Sequence, residues 1–391
     1  MARRIALIEF SPSGGLFQFS VQLGEALARA GAEVDVITGP KPELSSREPG
    51  CRVRGILPTW HPTAGADAPE WWRRARRGVR AVQHALAWLL LLAELVRTRP
   101  DAVIWSAWRF PIDAWGVRAV RELLPRAVLG LVAHEPRPVV EQPGREGMYK
   151  TSGTSALSKA YADLDVAYVL GESAQKVLTD TWPLKARVHV IPHGDEGIFA
   201  STPISGAAET GPVALSFGTI TNYKGTGTLC AAWPLVRAEI PDAELVIAGA
   251  VSADVNEPQL RTEVARLAGV TLTTGYIPVP DVPSYFDRAR CVVLPYKRSS
   301  QSGVAHLAHT LRRPVIATRV GDIPNVVLDG VSGILVPSED PAALAVALVR
   351  LLKDPELAQR MGEAGAQGLA QSASWDEVAA RLLDGLPAQR L

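Results

Sequence analysis

Hydrophobic positions along the chain fall into two alternating rhythms. Short runs such as "RIALIEF" and "CVVLPY" are apolar almost throughout and lack the polar alternation of a strand with one wet face. They predict strands buried on both sides. Longer stretches such as "LFQFSVQLGEALARAG" space their apolar residues three and four apart and predict helices, this one closed by Gly31 as a C-terminal cap. In the first half the predicted strands are "RIALIEF", "EVDVIT", "VRGIL", "AVIWSA", "AVLGLVAH", "DVAYVL" and "VHVIP". The second half restarts the rhythm with "VALSFG", "AELVIAG", "VTLTTGY", "CVVLPY", "PVIATRVG" and "GILVP". Strand and helix in steady alternation predict an α/β protein with parallel sheets covered by helices on both faces.

With 391 residues the chain is too long for one ordinary core. A stretch rich in Gly, Pro, Ser and Thr, "GIFASTPISGAAETGPV" from Gly197 to Val213, marks the division. The expected organisation is a doubly wound, Rossmann-like domain over 1–200, a linker over 201–212, a second such domain over 213–370, and a closing amphipathic helix over 371–391 that packs back on the first domain. Open α/β sheets bind ligands beyond the carboxyl ends of their strands. Chemistry is therefore expected in loops that follow strands, in a cleft where the two sheets face each other.

Composition removes some functions. The chain is 47% hydrophobic and 21% charged with a net charge of +1, which gives no basic domain for nucleic acid. Cys51, Cys230 and Cys291 lie far apart, without metal-ligand spacing, and fit core packing in a reducing compartment. The apolar run of "MARRIALIEF" is too short for a signal peptide, so a cytoplasmic setting is expected. One segment reads two ways. "EWWRRARRGVRAVQHALAWLLLLAELVRTRPD", from Glu70 to Asp101, is too short and too interrupted by Gln83, His84 and Glu94 to span a bilayer. It is either a helix packed on the core or, through residues 71–96, a peripheral contact with an anionic membrane.

Four loops follow strands and carry polar groups. "EFSPSGGLFQFS" brings Gly14 and Gly15 to a helix start, where backbone N–H groups can meet phosphate or sugar oxygens; a plain turn is the other reading. It is not the G-x-G-x-x-G dinucleotide fingerprint. "LGLVAHEPRP" ends a buried strand on His134. "SFGTITNYKGTGTL" places Lys224 and Gly225 at the opening of a helix, a cation beside helix amides that suits a diphosphate. "PYKRSSQSGV" offers hydroxyls, the Gln301 amide and Gly303 directly before a helix, an anion cradle of backbone N–H groups.

Taken in order, these segments, together with "VHVIPHGDEGIF", "GYIPVPDVPSYFDRARCVVLPY" and "QSGVAHLAHTLRRPVIATRVGDIPNVVLDGVSGILVP", resemble the family-four retaining glycosyltransferases of the GT-B fold across nearly the whole chain. The resemblance implies transfer of a hexose-type sugar from a nucleoside-diphosphate sugar, UDP- or GDP-linked, to an acceptor hydroxyl on a small molecule or glycan. It implies no other cofactor, and no metal. The base is expected near Gly275, Tyr276 and Ile277. The diphosphate is expected at Gly218, Thr219, Lys224, Ser299, Gln301, Ser302, Gly303 and Val304. Gly14 and Gly15 are expected to close over donor phosphate or acceptor, and His134 to contact the transferred sugar, so that His134 and Lys224 are the catalytic candidates. Two departures stand out. The family's paired glutamates fall here at Ser299 and Leu307, and Thr219 stands where an arginine commonly precedes the lysine; a branch of the family shares the "QSGV" turn. His306 and Gln301 are the candidate substitutes. The alternative, a catalytically idle GT-B-like binding subunit, draws on those missing groups, and a nucleotide-sugar epimerase would need carboxylates that the loops do not supply.

Overall fold

The computed structural model describes residues 2–60, 70–108, 110–134, 136, 152–200, 202–299 and 301–388, with 70–77 and 152–155 as helix backbone only. The side chains of the Trp- and Arg-rich start of the Glu70–Asp101 segment therefore lie outside the described residues. The chain divides into two compact units, and the division falls after Pro192, ahead of the Gly- and Pro-rich stretch that composition marks as a linker. That stretch belongs to the second unit. The buried Arg313 ties it down, donating from Nη2 to Ser205 O at 2.7 Å and from Nε to Phe286 O at 2.8 Å.

The first unit holds β1 (Arg4–Ile8), α1 (Gly15–Arg29), β2 (Glu33–Thr38), β3 (Cys51–Gly55), α2 (Glu70–Thr98), β4 (Ala102–Trp105), α3 (Pro111–Leu123), β5 (Val128–Val132), α4 (Ser152–Ala162), β6 (Val166–Val169), α5 (Glu172–Thr181) and β7 (Arg187–Val190). Its seven strands form one parallel sheet in the order β3-β2-β1-β4-β5-β6-β7. Every residue of β4, β5 and β6 is buried, which is why these strands read as unbroken apolar runs. The third strand begins at Cys51 rather than Val53, because Val34 to Thr38 draw the earlier residues into register.

The second unit holds β8 (Val213–Phe217), α6 (Thr226–Glu239), β9 (Glu244–Gly249), α7 (Glu257–Ala265), β10 (Val270–Thr274), α8 (Val282–Arg288), β11 (Cys291–Leu294), α9 (Gly303–Thr310), β12 (Val315–Thr318), α10 (Ile323–Val326), β13 (Gly333–Val336), α11 (Pro341–Lys353) and α12 (Pro355–Ser372). Its six parallel strands run β10-β9-β8-β11-β12-β13. Both sheets are doubly wound, with the order reversing beside β1 in one and β8 in the other. The fold is thus two Rossmann-like domains of GT-B type.

The last helix, α13 (Trp375–Gly385), belongs to the first unit. Its Trp375, Val378, Ala379 and Leu382 join the core that α1 covers. The buried Tyr168 hydroxyl donates to Leu382 O at 2.8 Å, and Arg29 pairs with Asp376 at 3.0 Å.

Helix α2 has two unlike faces. His84, Ala87, Trp88, Leu91 and Leu95 are buried, the four apolar ones in the core of the first unit, while Val82 and Leu89 stand more than 60% exposed. The expectation that this stretch is too short and interrupted to span a bilayer needs correction. Gly78–Thr98 is 21 residues and contains an 18-residue window with a mean hydropathy of 1.5, enough by length and composition, because Gln83, His84 and Glu94 are diluted by the leucines around them. It is the packing of one face against the sheet that gives this helix a core role.

Truncating Leu382 to Ala should cost about 2–5 kcal/mol, read as a lower urea midpoint for the first unit. An unchanged midpoint would remove α13 from that core.

Candidate functional site

In the second unit the functional loops follow β8, β9, β10 and β11, the strands around the point where the strand order reverses. After β8 the chain passes Gly218 and Thr219 and forms a 3-10 turn at Asn222–Lys224. Asp254 holds this turn, accepting from Asn222 N at 2.8 Å, while Asn222 Nδ2 donates to Asp254 O at 2.6 Å. Gly225 follows at φ +72°, and a Cβ there would stand 1.9 Å from Pro295 O, so only glycine lets the β8 and β11 loops close on each other. Lys297 N donates to Tyr223 O at 2.7 Å and joins the same two loops.

This bracing sets the position of Lys224. Its Nζ lies 5.6 Å from the centre of the Tyr296 ring and has no carboxylate partner among the described residues. A Cβ on Gly218 would stand 3.2 Å from Lys224 Nζ and 3.3 Å from Val304 Cγ2. The bare backbone of Gly218 is therefore flanked by an ammonium group on one side and the first turn of α9 on the other. Ser302 caps α9, its Oγ accepting from Ala305 N at 3.3 Å, and the first turn carries no acidic residue. The Gly303 and Val304 amides have no acceptor among the described residues. A helix start without acidic residues and one cation bordering the same glycine make a site for an anion.

The other expected residues take different places. Ser299 Oγ donates to Gln301 O at 2.7 Å, so Ser299 and Ser302 shape the turn with their hydroxyls. Gln301 Oε1 is buried without a partner among the described residues. Thr219 is exposed. Gly275 follows β10 and donates to Gly249 O at 3.2 Å, while Gly249 in turn backs onto Gly218 O. Gly275, Tyr276 and Ile277 thus lie along the same sheet edge as the Lys224 loop. His306 donates from Nδ1 to Ser302 O at 3.0 Å and stacks on His193 at 4.5 Å.

In the first unit Gly14 (φ +91°) precedes α1, and a Cβ on Gly14 or Gly15 would meet nothing within 4 Å. The loop is open, yet Glu43 Oε2 already accepts from Gly14 N at 3.4 Å and from Gln18 Nε2 at 3.3 Å. His134 follows β5, buried, its ring edge-on to Phe19 at 4.5 Å. Burial alone pushes its imidazole down to about 4, which keeps it neutral at pH 7. A cavity of about 120 Å³ opens at the ends of β1 and β4, walled by Phe10, Trp60 and Phe110 with Glu9 and Asp113. Asp113 Oδ1 accepts from Trp88 Nε1 at 2.8 Å and lies 2.6 Å from His84 Nε2.

Residues 13–194 match the family described as Glycosyltransferase Family 4, and residues 211–354 match Glycosyl transferases group 1. The chain belongs to glycosyltransferase family 4. It is 27% identical to a D-inositol 3-phosphate glycosyltransferase of Xylanimonas cellulosilytica, over 95% of this chain and 91% of the relative. It is 26% identical to a GDP-mannose-dependent alpha-(1-6)-phosphatidylinositol monomannoside mannosyltransferase of Mycolicibacterium smegmatis, over 81% and 86%. Among solved structures, sucrose-phosphate synthase of Thermosynechococcus elongatus superposes with a TM-score of 0.73 at 22% identity over 98% of both chains. Anabaena HepE, crystallised with UDP and glucose, gives 0.65 at 13% identity, also over 98% of both. At these identities the structures establish the shared fold.

For this glycosyltransferase, two groups near the cradle escaped the reading of loops. Arg298, beside the turn in "KRSS", lies 4.8 Å over the Tyr223 ring and adds a second cation to the loop pair. Glu196, from "PHGDEGIF", is buried, and its Oε1 would stand 3.7 Å from a Cβ on Gly303. A carboxylate therefore does reach the start of α9, from the loop after β7, a segment more than a hundred positions earlier.

Three buried histidines set the acid limit of the fold. Burial holds His134 and His309 near 4 and His306 below the ordinary 6.5. Between about pH 4 and 6.5 the unfolded chain thus binds more protons than the folded one, so stability rises with pH through that window and is fully present above it. The melting temperature should fall steadily as pH is lowered from 7 to 5. A flat profile over that range would mean that the three rings are not buried as neutral groups.

Proposed function

We propose that this glycosyltransferase takes its sugar from a nucleoside-diphosphate donor whose diphosphate rests between Lys224 Nζ and the Gly303 and Val304 amides. The observation that carries this reading is that Lys224 Nζ and the Val304 side chain, in the first turn of α9, both border the side-chain-free face of Gly218. The base lies toward Gly275–Ile277, further along the same edge. The named relatives support a nucleotide-sugar donor, since one of them is GDP-mannose-dependent.

As the anomeric bond stretches, positive charge develops on the sugar and negative charge on the departing diphosphate. Lys224 and the helix amides stabilise that second charge, a role a metal ion fills in other phosphate chemistry. In a front-face reaction the acceptor hydroxyl attacks from the departing side and passes its proton to the phosphate. The anomeric configuration is retained, and no enzyme carboxylate serves as base. Glu196 is then assigned to a sugar hydroxyl, in place of the carboxylates absent at Ser299 and Leu307. His134, neutral through burial, is assigned to hydrogen bonding with the sugar on the strength of the family resemblance. The aromatic walls and buried carboxylates of the first unit's cavity suit a ring bearing hydroxyl groups as acceptor. A cytoplasmic setting agrees with the free Cys51, Cys230 and Cys291, whose thiols burial pushes up to about 11, 11 and 12.

A thermal-shift panel of UDP, GDP, ADP and TDP should show one nucleotide raising the melting temperature, and Lys224→Ala should abolish that shift. With the matching sugar donor, Lys224→Ala should lower kcat by about 10²–10³, and EDTA should leave the wild-type rate unchanged. NMR of the released sugar or product should show the donor's anomeric configuration. Flat melting curves with all four nucleotides, or an inverted product, would overturn the reading.

A further inference from the structure

The cavity at the ends of β1 and β4 holds a polar pair whose arrangement exceeds what packing needs. His84, on α2, and Asp113, in the first turn of α3, both line it and are 4% and 1% exposed. Asp113 Oδ2 accepts from Phe110 N at 2.8 Å, which closes the first turn of α3. Its Oδ1 accepts from Trp88 Nε1 at 2.8 Å and lies 2.6 Å from His84 Nε2. An ionised carboxylate only accepts, so the imidazole carries its proton on Nε2 and, when neutral, presents a bare lone pair on Nδ1. That nitrogen has no partner among the described residues. The Phe10 and Phe110 rings pack on the imidazole with centroids 4.7 and 4.9 Å away. Buried polar groups are normally hydrogen-bonded. An imidazole fixed in place beside a cavity, with one nitrogen unmet, points to a ligand that donates there.

Charge narrows the ligand. Glu9 lines the same space at 3% exposure, its Oε1 accepting from Ser11 N at 2.9 Å and its Oε2 from Ser106 Oγ, and it has no cationic partner among the described residues. With Asp113 it gives the lining two carboxylates, whereas no described lining residue is a lysine or an arginine. Arg80 stands over the Trp60 ring at 4.9 Å and is not one of them. A phosphate entering here would meet like charge, while hydroxyl groups can donate to Nδ1 and to the carboxylates. The volume of about 120 Å³ equals that of about four waters. It takes one hydroxylated edge of a sugar-sized ring rather than a whole glycan, with Phe10, Trp60 and Phe110 as apolar walls.

We propose that this cavity selects a neutral polyol as acceptor, a ring without phosphate, and that His84 positions it by accepting from one of its hydroxyls at Nδ1 while Asp113 fixes the tautomer. The proposal rests on the reading that the cavity holds the acceptor and takes nothing from the donor cradle.

Nitrogen NMR of the ring-labelled histidines in the full chain tests it, with glucose, mannose and galactose, each beside its 6-phosphate, as probes. His84→Phe identifies the His84 signals by their loss. The wild type should show the proton on Nε2, and at least one neutral sugar should move the Nδ1 signal. The 6-phosphates should leave it in place or need at least about tenfold higher concentration. Glu9→Gln, which keeps the side chain's size and removes its charge, should narrow that gap. In turnover with the nucleotide sugar, His84→Phe should raise KM for the neutral sugar at least about tenfold, with kcat at saturation changed less. No movement of Nδ1 with any neutral sugar would overturn the proposal, as would a 6-phosphate moving it at equal or lower concentration. Sugar binding at His84 with an unchanged acceptor KM in His84→Phe would take the acceptor out of this cavity and overturn the reading beneath the proposal as well. Any of these failures beside an intact nucleotide-induced melting shift leaves the donor reading standing.

Discussion

A phosphate-bearing ligand needs its charge met by groups already in place. On the reading proposed for this glycosyltransferase, the second unit meets it where β8 and β11 lie side by side. One strand leads into the lysine loop and the other into the turn that starts α9. Glycine at 225 and the Lys297–Tyr223 backbone bond draw the two loops together. Asp254 fixes the turn that carries Lys224. The parallel sheet, the buried strands and the capped helix all serve this placement. On that reading, a shift of either loop by about an ångström would move the cation away from the start of α9, and preorganised charge acts only where it is aimed.

Much of this is legible in the amino-acid sequence. Strands buried on both faces write themselves as unbroken apolar runs, so "CVVL" and "VIAT" could be read directly, as could the polar turns beyond them. What periodicity does not carry is distance between segments remote in sequence. Nothing local in "PHGDEGIF" says that Glu196 lies beside Gly303, or that Glu43 reaches the amide of Gly14. The division after Pro192 was hidden for a related reason. A polar, Gly-rich stretch reads as a linker, but Arg313 pins this one to the second unit through backbone carbonyls that leave no mark on composition.

The two faces of α2 illustrate the opposite difficulty. Its apolar residues exceed what one buried face needs, and the excess is visible in sequence only as high hydropathy. Whether that excess is core or surface depends on which neighbours cover it, and α3 and the sheet cover only one side.

On the proposed mechanism, the missing helix carboxylates bear on the chemistry less than on recognition. If the leaving diphosphate takes the acceptor's proton, the cradle supplies the principal electrostatic stabilisation and the carboxylates only orient the sugar. A crystal structure with the nucleoside diphosphate that raises the melting temperature tests this most directly. The account predicts phosphate oxygens within hydrogen-bond distance of the Gly303 and Val304 amides, with Lys224 Nζ on the same group. A diphosphate bound elsewhere, or a Glu196 carboxylate occupying those amides in its place, would contradict it.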